Sequence, residues 1–252
     1  MRPLNRAQEA VLETRNLNVS FGGLRAVKDV SLAIPRGGIT SIIGPNGAGK
    51  STLFNLISGA IRPSSGQVLI DGRPAATSPS RLCAQGLARS FQITNLFPQL
   101  SVFENLRLAA QVLEPKARGF LPVRMSRRAE AKAGALLLRF DLGPRADSLA
   151  GALSHGEQRR LEIAAALASE PRILLLDEPT QGMSHGDTQE TKALVQSLGE
   201  ELTVLLIEHD IDLVMDLSKR VIVLHQGAKL AEGSPAAVRA NPEVQAAYFG
   251  GH

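Results

Sequence analysis

Gly44-Pro45-Asn46-Gly47-Ala48-Gly49-Lys50-Ser51-Thr52 fits the pattern G-x-x-x-x-G-K-[ST], a loop that wraps the phosphates of a nucleoside triphosphate. What flanks it supports that reading. Ile39 to Ile43 is a short apolar, β-branched run of strand type, and Leu53, Phe54, Leu56 and Ile57 then repeat at helical spacing until Gly59 offers a C-cap. Glycines at 44, 47 and 49 let backbone N–H groups approach phosphate oxygens at dihedrals a side chain forbids. The helix that follows turns its positive end toward the same charge. In this reading Lys50 reaches the terminal phosphates and the Ser51 hydroxyl ligates Mg²⁺.

The bulk numbers exclude other classes. The 252 residues are 44% hydrophobic and 21% charged, ordinary values for a globular protein with ample core. No stretch approaches the roughly 18 unbroken apolar residues of a membrane span. Residues 1 to 16 lack the apolar segment of a secretory signal. Cys83 stands alone, so no disulfide framework is expected and a cytoplasmic address fits. The net charge is +4, with one basic cluster at Lys116, Arg118, Arg124, Arg127 and Arg128. A solvated face is its first reading, a surface near anionic lipid its second. Nucleic-acid binding ranks last, because the chain has one Tyr and no Trp to stack on bases.

Periodicity predicts strands at Leu12–Phe21, Val27–Ile34, Ile39–Ile43, Val68–Ile70, Ile173–Leu176, Thr203–Ile207 and Val221–Leu224, with Lys229–Glu232 pairing back. Helices are expected over Val102–Gln111, behind a Ser101/Glu104 capping box, and over Ser126–Phe140. Further helices are expected near 157–169, 187–199 and 211–218. The pattern is α/β, interrupted from about 95 to 150 by a helical insert. It contains one phosphate loop and no repeat.

Two more constellations carry chemistry. Ile173 to Leu176 is an apolar strand that ends in Asp177 and Glu178, carboxylates at the strand tip where α/β folds bind ligands. Asp177 is expected in the Mg²⁺ shell, leaving Glu178 to orient or deprotonate the attacking water. In Leu153-Ser154-His155-Gly156-Glu157-Gln158, Ser154 and Glu157 form a capping box, which by itself needs no function. A serine and a glycine at a helix N-terminus also make an anion site. Phosphates already enclosed by residues 44–52 are out of its reach, so it is expected to act on a nucleotide held by another subunit.

With these residues in order, the chain resembles the ATP-binding-cassette ATPases, whose signature LSHGEQ matches closely, over nearly its whole length. The resemblance implies a P-loop (RecA-like) core over 10–94 and 155–230, with an antiparallel β subdomain. It further implies an inserted helical subdomain over 95–154 and a tail over 231–252. It places Phe21 where an aromatic stacks on adenine, Gln92 where a glutamine touches Mg²⁺ and water, and His209 where a histidine contacts the γ-phosphate. It thus implies ATP and Mg²⁺ as ligands. Lys50, Gln92, Glu178 and His209 become the catalytic set, and Ser51, Gln92 and Asp177 the metal set. Residues 44–52, Phe21, Ser154 and Gly156 become the nucleotide contacts, the last two across a dimer. One departure is Ser184, which occupies the place of the aspartate in the cross-dimer loop and implies altered coupling between sites.

Within that superfamily, Phe21–Val27, Gly86–Gln92, Leu96–Pro98, Ile207–Met215 and Asn241–Gly250 resemble the ATPase subunits of branched-chain (hydrophobic) amino acid importers. The implied partners are a second ATPase subunit, two membrane permeases and, indirectly, a solute-binding protein, with the chain peripheral at the cytoplasmic face of the inner membrane and no nucleic acid bound. Cassettes for urea, amides, aromatic acids or lipopolysaccharide export look alike. A soluble cassette acting on DNA, ribosomes or protein assemblies lacks the expected coiled-coil insertion or tandem cassette here. A phosphate-loop kinase or GTPase would not carry residues 153–158.

Overall fold

The structure, a computed structural model, describes residues 10–90, 96–113 and 126–249. Gln92 and Lys116, Arg118 and Arg124 of the basic cluster lie outside the described residues.

Two sheets organise the chain. Strands β1 (Ala10–Phe21) and β2 (Leu24–Pro35) form an antiparallel hairpin, joined after β3 (Gly38–Ile43) and helix α1 (Lys50–Ile57) by β4 (Ser65–Ile70) and the short β5 (Arg73–Pro74). Their order is β2-β1-β4-β5. Helix α2 (Pro79–Ala84) leads to β6 (Leu87–Arg89), followed by the insert helices α3 (Val102–Ala110) and α4 (Arg127–Arg139). Helix α5 (His155–Leu167), β7 (Ile173–Asp177), α6 (His185–Glu201), β8 (Thr203–Ile207), α7 (Ile211–Leu217), β9 (Arg220–His225) and β10 (Ala228–Gly233) complete the alternation. Helices α8 (Pro235–Arg239) and α9 (Pro242–Phe249) follow. The second sheet has six strands in the order β10-β9-β3-β8-β7-β6, parallel throughout except for β10.

That sheet is buried on both faces, and strand alternation divides its residues between two cores. Leu174, Leu176, Val204 and Leu206 pack with α3, α4 and α5. Their alternates Ile173, Leu175, Leu205 and Ile207 pack with α1 and the antiparallel sheet, around the fully buried Phe54. A smaller cluster joins Ile43, Val221 and Val223 to Val238 and Val244 of α8 and α9, with Tyr248 against it.

The expected strands and helices are present, with ends shifted by one to three residues. Helix α5 begins at His155 rather than Glu157, and β10 continues across residue 230. One expectation fails in detail. Ser101 accepts from Glu104 N at 3.1 Å, but the Glu104 carboxylate does not return to the cap. It pairs with Arg107 at 2.6 Å, so only half of the box forms. An arginine three residues on lies on the same helix face and competes for that carboxylate.

Candidate nucleotide site

Parallel pairing brings the carboxyl ends of β3, β8 and β7 to one edge of the sheet, with β8 between the other two. The phosphate loop leaves β3, His209 follows β8, and Asp177 and Glu178 end β7. A cleft of about 570 Å³ opens there, lined by Asn46–Thr52, Glu178 and His209, with Leu24–Ala26 from the flanking sheet and Gly227 from the β9–β10 turn. That is the size range of a small-molecule site.

The loop geometry needs its glycines. Gly49 has φ 96° and caps α1, and a Cβ there would lie 2.5 Å from the Ala26 carbonyl. Gly44, at φ 155°, is hemmed by the Leu224 carbonyl at 2.2 Å from the same imagined atom. Helix α1 has no side-chain cap and no acid in its first turn. The buried Lys50 ammonium donates to Gly44 O at 2.7 Å and Pro45 O at 3.1 Å, across the loop. Burial lowers its pKa, against the opposing pull of Glu178 and Asp177.

Asp177 is 1% exposed. Its Oδ2 accepts from Arg89 at 3.2 Å, while its Oδ1 has no hydrogen-bond partner. Burial raises its pKa, and Arg89 works the other way. A buried carboxylate oxygen left without a donor, beside a loop that presents Ser51, suits a hard divalent cation. Arg89 also stacks over the Phe54 ring at 4.9 Å and donates to Asn55 Oδ1 at 2.6 Å and Ser58 Oγ at 2.8 Å. It ties the acidic strand tip to the helix of the phosphate loop.

Glu178 is 7% exposed and has φ 47°, a left-handed conformation that costs a non-glycine residue about 1 kcal/mol or more. Its N–H donates to Ile207 O at 2.8 Å, and its Oε1 lies 2.5 Å from His209 Nε2. The turn is held from behind by Arg159 of α5. That buried guanidinium donates to Asp177 O at 2.7 Å, to Pro179 O at 3.3 Å and to Glu162 at 2.7 Å.

Ser154 and Gly156 lie elsewhere. They open α5 outside the cleft, where Ser154 N donates to Glu157 Oε2 at 2.8 Å and Glu157 N to Ser154 Oγ at 3.3 Å. The box expected there is complete. Gly156 is wedged against α6, where a Cβ would meet Asp187 Oδ1 at 2.6 Å. Phe21 ends β1, is 51% exposed, and is not among the residues lining the cleft. Ser184 caps α6, accepting from Asp187 N at 3.3 Å. A family model for the ABC transporter ATP-binding region matches residues 27–181, more than half of the sequence.

The chain belongs to the ABC transporter ATP-binding family.

A second model, for branched-chain amino acid ATP-binding cassette transporters, matches residues 228–252 of this cassette. The cassette is 41% identical over 250 residues to the high-affinity branched-chain amino acid transport ATP-binding protein BraF of Pseudomonas aeruginosa, covering 95% of this chain and 98% of that protein. It is 40% identical to LivG of Escherichia coli strain K12, a protein described in the same words, covering 96% and 98%. The lipopolysaccharide export ATP-binding protein LptB of Haemophilus influenzae is 33% identical over 96% and 98%. Among solved structures, an ABC transporter cassette in its ADP conformation superposes with a TM-score of 0.85 at 30% identity, covering 96% and 99%. A dimeric cassette bound to ADP and phosphate gives 0.74 at 29%, covering 89% and 98%. The cassette is therefore an ATPase of the ABC fold, and cassettes of this family work as dimers within transporter complexes.

Motif reading missed Arg159, and it quoted Arg89 only as part of a resembling stretch. Neither carries a spacing signal; both are defined by the backbone or carboxylate they reach. Tyr248 of α9 is a third case. Its hydroxyl accepts from the Gly44 N–H, and burial pushes its pKa up to about 12.

Proposed function

We propose that this cassette is the ATP-hydrolysing subunit of an importer for branched-chain or other hydrophobic amino acids, peripheral at the cytoplasmic face of the inner membrane. It works with a second ATPase subunit, two permeases and a solute-binding protein. The carrying observation is the split arrangement. Asn46–Thr52, Glu178 and His209 line one cleft, with Asp177 the residue before Glu178 at the end of β7, while Ser154 and Gly156 open outside it. The site is completed when a partner's signature corner covers the nucleotide.

In this reading Lys50 and the loop N–H groups hold the β- and γ-phosphates. Asp177 and Ser51, with Gln92, hold Mg²⁺, which when bound neutralises charge on those phosphates. Glu178 orients and deprotonates the attacking water, and His209, at hydrogen-bond distance from it, faces the γ-phosphate. Phe21 stacks on the base from the hairpin tip. A permease segment fits the apolar cavity of about 250 Å³ between the core and the insert, bounded by Leu82, Leu87, Ala109 and Ala165. Among the described residues no helix is long and apolar enough to cross a membrane.

The amino acid cargo rests on the relatives BraF and LivG and on the model matching the last 25 residues. LptB keeps lipopolysaccharide export as the second reading. Reconstitution with the permeases and solute-binding protein in liposomes, followed by uptake of labelled leucine, tests the first. ATP- and Mg²⁺-dependent uptake, abolished by chelation, is expected. ATPase activity indifferent to any amino acid but stimulated by lipopolysaccharide would overturn it.

A further inference from the structure

Glu208 is a buried carboxylate that the reaction described so far does not use. It is 4% exposed, and no ion pair involves it among the described residues. Its partners are neutral donors arranged on two sides. Oε1 accepts from Thr180 N at 3.0 Å and from Thr180 Oγ1 at 2.7 Å. Oε2 accepts from the N–H of His209 at 3.2 Å. Burial raises its pKa, with the Thr180 and His209 bonds opposing and the neighbouring Glu178 charge adding to the rise.

A carboxylate in this position carries a desolvation cost that neutral hydrogen bonds offset only in part. Packing alone does not call for it. What it supplies is geometric. Thr180 lies two residues beyond Glu178, in the turn where Glu178 holds its left-handed φ of 47°. His209 is the next residue after Glu208, at the end of β8. The two segments follow different strands, and the described contacts across this gap are Glu178 N to Ile207 O, Glu178 Oε1 to His209 Nε2, and those between Glu208 and Thr180. Among these groups Glu208 reaches both the Thr180 turn and the His209 N–H with one carboxylate, an acceptor on each side.

We propose that Glu208 is a positioning residue for ATP hydrolysis, whose carboxylate clamps the Thr180 turn to the His209 peptide so that Glu178 and His209 approach the γ-phosphate as one unit. The inference rests on the roles given above to Glu178 and His209. A glutamine at 208 keeps one carbonyl oxygen and replaces the other with an NH₂ group, which cannot accept from an N–H. Glu208→Gln therefore releases one side while preserving shape.

The test uses the full chain assembled with its permeases, with ATP turnover and nucleotide affinity measured separately. Glu208→Gln is expected to lower kcat by about tenfold or more, with affinity for ATP changed by less than about threefold and Tm held. Thr180→Val, which removes one of the bonds, is expected to lower kcat less, Thr180→Ser to restore it, and the Glu208→Gln/Thr180→Val pair to fall no further than Glu208→Gln alone. A readout independent of turnover is amide hydrogen exchange, in which Thr180 and His209 N–H groups exchange faster in Glu208→Gln. Unchanged exchange, unchanged kcat, additive losses, or kcat, affinity and Tm falling together would each overturn the proposal. Glu178→Gln in the same assembly separates the two readings. If it still turns over ATP, the assignment of Glu178 fails, while slowed turnover in Glu208→Gln still places the clamp in the catalytic cycle.

Discussion

Helices α1 and α5 both begin beside a glycine and a serine, yet their N-termini are finished in opposite ways. That of α1 has no side-chain cap and no acid in its first turn, and Lys50 stands at its head. That of α5 is closed by its own Glu157, which occupies the Ser154 N–H while Ser154 occupies the Glu157 N–H. An open positive end next to an ammonium group recruits a highly charged anion. A capped end has already spent part of its polarity on a carboxylate. In the proposed reading the first holds the triphosphate, and the second serves as a lid brought by another subunit.

The comparison can be broken most decisively at the chemistry. Glu178→Gln is expected to bind ATP and dimerise while losing turnover by about a hundredfold or more, since it removes the group proposed as base. Steady-state turnover beside equilibrium nucleotide binding checks this. Near-normal turnover would detach the cleft on the α1 side from hydrolysis. Next comes Arg159, which links α5 to the turn behind that cleft. Arg159→Gln strands the buried Glu162, whose pKa burial already raises, and should cost about 3–5 kcal/mol, read as a large fall in denaturant midpoint.

Division of labour between the two N-termini predicts complementation. Chains carrying Lys50→Ala and chains carrying Ser154→Ala should each be impaired alone and regain activity when mixed, because a mixed dimer contains one site with both halves intact. Absence of recovery would mean that α5 acts within its own chain. The stability effect of Ser154→Ala itself should be near 1 kcal/mol, the usual worth of an N-cap. Smallest is a pH effect confined to α5. The Ser154 N–H and then Arg145 lower the pKa of Glu157. Its contribution is therefore present above the ordinary glutamate range and lost as pH falls through the lowered folded value. Amide shifts of Ser154 and Glu157 between about pH 6 and 3 should report that loss.

How much was legible follows from where the information sits. The phosphate loop, the acids ending β7 and the α5 cap are local in sequence, so their spelling and spacing declare them. Residues 101 and 104 show the limit of spelling: a matching pair formed half a box because Arg107, outside the motif, took the carboxylate. Arg89, Arg159 and Glu208 hold the site together, and their partners lie 88, 18 and 28 residues away. Only the pairing of β6, β7 and β8 brings those partners close. Short β5 and α2, which gain their order from packing on β4 and β6, escaped for the same reason. Placing Ser184 at the cross-dimer loop did not reveal that it also caps α6.

Strand β8 lies between β3 and β7, so the lysine-bearing loop and the acidic tip stand two strand spacings apart, about 9.5 Å. All of these strands are buried on both faces, and a hydrogen-bonded sheet does not stretch. The gap works as a fixed calliper. A polyphosphate tail would be gauged against it by length, while Phe21, half in solvent at the hairpin tip and outside the cleft lining, would give the proposed base contact a far softer grip.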